Sequence, residues 1–257
     1  MSDDSASERA WSAAVFAAAA SFFAITALPG LHWHDSPEFA AVGWRLSMSH
    51  PPGHPAHAQL TRAAELFGLG DGAFRANLLS ALLAGIALAG FFRLLRAVAP
   101  NLPRFAAAAA AVLPAVMPVI WLQAARAEVY ALQLVLSAAL AALCLRVARG
   151  ADQRALPALA LAFGLAGANH SLIGLFWLPL ALWAMAVGRP GWRAFALAVP
   201  AGALGLSTYA YLYLRSHAGG VVGWGRPDTP AALWGMISAR DWAHGVVPDA
   251  QTTPFAD

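Results

Sequence analysis

Asp35 and Glu38 stand in the stretch HDSPEF, residues 34–39, with His32 and His34 around its start and His50, His54 and His57 shortly after it. Ser36 followed by Pro37 reads as a helix N-cap with proline at the first helical position. Asp35 then precedes the helix and Glu38 occupies its first turn, where the positive end of the macrodipole stabilises both anions. Acids at such a place often serve only as caps. Here Ser36 already supplies a cap, and two acids with three histidines exceed what capping needs. Carboxylates and imidazoles in company titrate or coordinate. A divalent-metal reading uses His54 and His57, three residues apart, with Asp35 and Glu38 as further ligands. No compact ligand motif such as H-E-x-x-H accompanies them, so no metal ligand is assigned.

Two other places carry polar groups that need explaining. Arg126 and Glu128 lie in LQAARAEVYAL, where the chain turns back into apolar sequence. A mutual salt bridge is the plain reading. The functional one is that the planar guanidinium pairs with a phosphate whose lipid tail lies in a bilayer. Asn169 and His170 sit in GANHSLIG, where a polar pair is either a satisfied turn or part of a site.

These residues must be positioned by a membrane scaffold. The chain has 257 residues, 60% hydrophobic and 11% charged, with mean hydropathy +0.59, against about 25% charged residues in soluble domains. Apolar stretches fall at about 11–31, 76–98, 104–122, 128–148, 155–169, 171–188 and 194–214, which predicts an all-α polytopic protein of about seven spans. The N-terminal MSDDSASERAW is too acidic for a cleaved signal peptide, so the first run is read as a retained span. Cys144 is the only cysteine, which excludes an internal disulfide and cysteine-based zinc motifs. Sixteen arginines and no lysine give a formal charge of +3 without a basic run, so nucleic acid is excluded as a partner.

The arginines set the orientation. With the N-terminus cytoplasmic, the short inside connections hold Arg9, then Arg93, Arg96 and Arg104, then Arg146, Arg149 and Arg154, then Arg189 and Arg193, as the positive-inside rule requires. All eight histidines and Asp35, Glu38, Glu65, Asp71, Glu128, Asp228, Asp241, Asp249 and Asp257 then fall outside. Chemistry is expected on that face. In the first outside loop, about 32–75, Phe39, Val42 and Leu46 form one apolar stripe of a short helix running to about Met48. SHPPGHP breaks it, and Pro55 starts a second helix with Leu60, Ala63 and Phe67 as its apolar face. Both helices are expected along the membrane surface. Thr229 and Pro230 read as another helix start. Trp224, Trp234 and Trp242 read as interfacial anchors, some of which could stack on a sugar.

In this order, WHDSPEFAAVGWRLSMSHPPGHPAHAQLTRAAELF, FRANLLSALLAG, AARAEVYALQ, GANHSLIGLFWLPLAL, and YLYLRS with GWGRPDTPAALW resemble a bacterial family of multi-pass proteins, a domain of unknown function similar to protein O-mannosyltransferases and to the GT-C superfamily of membrane glycosyltransferases. The resemblance covers about residues 30–242. It implies a bacterial inner-membrane protein whose extracytoplasmic first loop carries the catalytic carboxylate. It also implies a polyprenyl-phosphate-linked sugar as donor, mannose or another hexose, and a protein or glycan as acceptor. Carried over, Asp35 is the leading general base and Glu38 the second candidate. Arg126 and Glu128 match a motif that holds the donor phosphate or acceptor, and His50, His54, Asn169 and His170 match further polar positions. Residues 1–214 would form the membrane domain and 215–257 an extracytoplasmic C-terminal segment, expected to be truncated because family members commonly continue further. A transporter or lipid-binding protein on the same scaffold is the first alternative, disfavoured by the scarcity of mid-membrane charges. An inactive family member is the second. An intramembrane serine protease is disfavoured because G-x-S-x-G is absent.

Overall fold

Alanine and leucine runs favour helix, and the computed structural model is all-helical over the residues it describes: 2–150, 152–218 and 223–240. In chain order the helices are α1 (Ser2–Ile25), α2 (Ser36–Arg45), α3 (Pro55–Ala64), α4 (Gly72–Val98), α5 (Arg104–Val112), α6 (Pro118–Ala125) and α7 (Val129–Ala148). They continue as α8 (Ala155–Asn169), α9 (Ser171–Leu175), α10 (Leu178–Gly188), α11 (Trp192–Leu206), α12 (Ala210–Ser216) and α13 (Pro230–Ile237). Short 3-10 turns at Leu113–Val116 and Ser207–Tyr209 join α5 to α6 and α11 to α12.

Four helical stretches are long and apolar enough to cross a membrane: α4, α7, α9 with α10, and α11 with α12. A fifth is counted if α5 and α6 are one span, bent by 74°. Pro114 and Pro118 explain that bend, because each removes a backbone donor and its ring crowds the preceding turn. The two remaining apolar stretches are helical as well. One lies in α1, which starts among the N-terminal acids, and the other in α8, which has 15 residues. The scaffold is therefore coarser than seven equal spans.

Two apolar clusters hold the bundle. Val15, Phe23, Leu88, Phe92 and Ala107 join α1, α4 and α5, while Leu140, Leu159, Ala184 and Ala198 join α7, α8, α10 and α11. Small residues let the backbones approach closely, the device that replaces hydrophobic driving force inside lipid. A Cβ at Gly164 would stand 2.5 Å from Gly202 O, and one at Gly205 only 2.6 Å from Leu161 O. Glycine is required at that crossing. Apolar residues such as Phe105, Val119 and Val199 point outward and are exposed, as expected of a lipid-facing surface.

The helices of the first loop depart from their expected details. α2 starts at Ser36, with Asp35 at the cap position and making no side-chain cap bond. Ser36 Oγ is buried without a hydrogen-bond partner among the described residues. The capping serine is thus corrected: Ser36 lies within the helix and cannot cap it. α2 ends at Arg45, because Leu46 turns left-handed with φ 50°. In α3 the buried face is Pro55, His57, Ala58 and Thr61, whereas Ala63 and Phe67 are exposed. The protein takes the polar side of α3 and leaves its apolar side outward. At Thr229 the expected cap forms, its Oγ1 accepting from Ala232 N at 3.1 Å. Trp242, His244 and the tail expected after them lie outside the described residues.

Candidate active site

Asn77 organises the approach to the site. Its Nδ2 donates to Leu28 O at 2.7 Å and Gly30 O at 2.8 Å, and its Oδ1 accepts from Ala127 N at 2.7 Å. One buried amide of α4 therefore ties the chain leaving α1 to the chain entering α7. Leu28 N also donates to Ala125 O at 2.9 Å, and Ser80 Oγ accepts from Glu128 N at 3.4 Å. Nothing in the sequence reading assigned Asn77 or Ser80. The available signal was two polar residues three apart inside an apolar run, a placement that membrane helices rarely tolerate without purpose.

His34, with φ 63°, turns the chain sharply into α2 and delivers Asp35. Left-handed backbone in a bulky residue costs of order 1–3 kcal/mol and persists where the surroundings enforce it. Phe39 and Val42 anchor α2 inward. Beyond α2, Arg215 Nε donates to Leu46 O and Tyr211 Oη to Ser47 O, both at 2.7 Å, so α12 holds the turn that returns His50 to the acids.

There His50 N donates to Glu38 Oε1 at 2.5 Å, and His50 Nδ1 lies 3.1 Å from Glu38 Oε2. Ligand atoms of Asp35, Glu38 and His50 all fall within 4.8 Å of one another. This is the group that could hold a divalent cation, and it corrects the expected pairing of the acids with His54 and His57. The cause is local. Gly53 at φ 89° and His54 at φ 39° reverse the chain, so His54 points away and its Nδ1–H donates to Asn169 O at 2.6 Å. His57 is fully buried against Thr61. The rings of His50, His54 and His57 pack around Phe39 at 5.2–5.6 Å.

Burial decides how these imidazoles ionise. It lowers His54 to about 3 and His57 to about 4. Burial also opposes charge on His50, but the hydrogen bond to Glu38 and the nearby carboxylates of Glu38, Asp35 and Glu128 win, and His50 is raised above its ordinary 6.5.

Arg126 and Glu128 form the other half. Arg126 Nη2 lies 3.2 Å from Glu128 Oε1 and donates to Gln123 Oε1 at 3.3 Å, while Nη1 faces Trp33 O and His32 Nδ1 at 3.4 Å. The salt bridge expected between them is present. Its Nε is buried without a partner among the described residues. Burial pushes Glu128 up to about 7 despite Arg126, and Asp35 and Glu38 add to the rise. The loop segments before α2, between α2 and α3, and between α6 and α7 thus share one electrostatic site.

Asn169 and His170 close the far wall. Asn169 is fully buried and donates to Val129 O at 3.1 Å and Gln133 Oε1 at 2.9 Å. His170 packs 5.6 Å from the His54 ring. Gln133 was also missed, although it is a lone amide in an apolar run. Asp35, Glu38 and His50 are brought together at a water-accessible edge, Arg126 and Glu128 lie buried beside them, and His54 and Asn169 form the wall behind. This arrangement can accept a proton at the edge and hold an anion beside a buried cation.

Residues 35–191, which begin at Asp35 and include every candidate above except those before it, match the protein O-mannosyl-transferase TMEM260 N-terminal domain. No solved structure matches the chain.

Proposed function

The chain belongs to that O-mannosyl-transferase family, the match covering more than half of its length, and on this premise we propose that it is a membrane glycosyltransferase. It moves mannose or another hexose from a polyprenyl-phosphate donor to a hydroxyl of an extracytoplasmic protein. The scaffold is of the GT-C type, with seven helical passages and the N-terminus in the cytoplasm of a bacterium. The observation that carries the reading is the meeting of Asp35, Glu38 and His50 with the buried Arg126–Glu128 pair.

Asp35 takes the proton of the acceptor hydroxyl as its oxygen bonds to the anomeric carbon. The bond from that carbon to the donor phosphate oxygen breaks, and the phosphate leaves with the electron pair. Arg126 stabilises the charge gathering on it. Glu38, held by His50, orients the acceptor and is the second candidate for the proton. The mixed edge of Asp35, Glu38 and His50 could also hold a divalent cation near the leaving phosphate.

The test is transfer of labelled sugar from polyprenyl-phosphate hexoses to endogenous acceptors in membranes carrying wild type, Asp35→Asn or Glu38→Gln at matched expression. Transfer by wild type that disappears in Asp35→Asn supports both activity and base. Full transfer by Asp35→Asn and loss in Glu38→Gln reassigns the base.

A further inference from the structure

Along α2, Glu38, Ala41, Val42 and Arg45 follow the i, i+3, i+4, i+7 spacing that places side chains on one face. This stripe floors an open groove of about 660 Å³ whose other wall is the segment 223–225, with Trp224 at its centre. Met48 and Gly223 form a parallel bridge, and Trp224 N donates to Met48 O at 3.3 Å, so the wall is fastened to the end of the α2 turn. A Cβ at Gly223 would stand 2.8 Å from Met48 O. Only glycine allows that closeness.

The groove is electrically polarised. Its inner end is Glu38, inside the Asp35–Glu38–His50 group. Its outer end is Arg45, exposed and, among the described residues, in no ion pair. Arg62 and Arg215 stand behind it, their guanidinium groups bonded to the carbonyls of Trp44 and Leu46 and so still uncompensated in charge. The acids of this region are already engaged: Glu65 pairs with Arg75 and Asp228 faces Arg226. An occupant that offers a hydroxyl at one end and an anion at the other complements both ends.

We propose that this groove seats the acceptor as an extended peptide, with the accepting Ser or Thr at the Glu38 end and an Asp or Glu of the same peptide against Arg45. The proposal rests on the transferase reading above and adds the recognition rule. Seven residues of helix separate Glu38 from Arg45, roughly 10 Å at 1.5 Å per residue. An extended chain advances about 3.3 Å per residue, so the acid lies about three residues from the hydroxyl. The exposed indole of Trp224 covers the peptide from the opposite wall. A neutral glycan has no anion to set at that distance.

The test uses the full chain in detergent and fluorescein-labelled nine-residue peptides holding one Thr and one Asp, the Asp moved from one to five positions on either side. Anisotropy should show tightest binding with the Asp about three residues from the Thr. Arg45→Glu should weaken that peptide at least tenfold and favour a Lys-containing counterpart, while Arg45→Lys retains most of the affinity. In the transfer assay Arg45→Glu should raise the peptide KM by more than it lowers kcat. Binding indifferent to the position of the acid, or unchanged in Arg45→Glu, overturns the proposal, as does sugar transfer to oligosaccharides with no peptide binding. Register-dependent binding without any sugar transfer leaves the groove standing and removes the transferase reading. Transfer without register dependence does the reverse.

Discussion

Glu38 with His50 and Glu128 with Arg126 are acid–base pairs of nearly the same separation, 3.1 Å and 3.2 Å, yet they are suited to opposite tasks. The first pair keeps contact with water, its side chains 23% and 15% exposed, whereas the second retains 2% and 6%. At the edge the carboxylate wins over desolvation and raises its histidine. In the interior desolvation wins over the arginine and raises the carboxylate to about 7. Contact distance alone therefore says little about what an ion pair does; the surrounding dielectric decides whether it holds charge or releases it.

The largest effect should come from breaking the water-facing half. Asp35→Asn is expected to lower kcat for sugar transfer by about 10²–10⁴-fold, the usual contribution of a general base, with thermal stability in detergent unchanged. Breaking the buried half should act on folding as well. Arg126→Gln takes away the cation beside Glu128, whose carboxyl, already raised to about 7, then holds its proton; the polar groups left without partners are expected to cost about 1–3 kcal/mol, read as a lowered melting temperature. The double variant Arg126→Met with Glu128→Leu should recover that stability without recovering transfer. A stable but active double variant would separate Arg126 from the chemistry.

Acid should loosen the loop that presents the edge. His54 and His57 have folded pKa values below the unfolded value of 6.5, so their contribution is complete above pH 6.5 and declines as pH falls toward about 3 for His54 and about 4 for His57. By pH 5 each has lost about 2 kcal/mol, and hydrogen exchange corrected for intrinsic rate should accelerate across 50–64. Asn77→Ala removes three hydrogen bonds between the two halves and should cost about 2 kcal/mol, with transfer falling at matched expression. The smallest effect concerns Glu128. Below about pH 7 it is mostly neutral, which in the proposed mechanism leaves Arg126 free for the donor phosphate; above that it ionises and competes. The donor KM should rise a few-fold between pH 7 and 8, and Glu128→Gln should flatten this limb.

Much of the site could be read before any geometry was known, because ionisable residues in a chain 11% charged are conspicuous. Asp35, Glu38, Arg126 and Glu128 stand out that way as candidates. The choice among histidines was not legible. His50, His54 and His57 lie close in sequence, but the positive φ at Gly53 and His54 sends neighbouring rings to different places, and spacing rules assume a regular backbone. Ser36 fails as a cap for a similar reason, since the turn at His34 shifts the helix start. The all-helical architecture followed from hydropathy, while the break between α5 and α6 depends on how two prolines are accommodated. Asn77 and Gln133 carry little sequence signal beyond being polar in an apolar run, and their importance lies in partners distant along the chain.

Where Gly164 and Gly205 bring α8 and α11 into backbone contact, no side chain remains to act as a spacer. α8 cannot rise or sink against α11 without main chain colliding with main chain. Asn169 lies five residues beyond Gly164, about 7.5 Å further along the axis, and its carbonyl accepts the hydrogen bond donated by His54 Nδ1–H. Those glycines thus work as a depth gauge. They fix the height of the floor beneath the loop that carries α2 and α3, and with it the level at which Asp35 stands along the bundle.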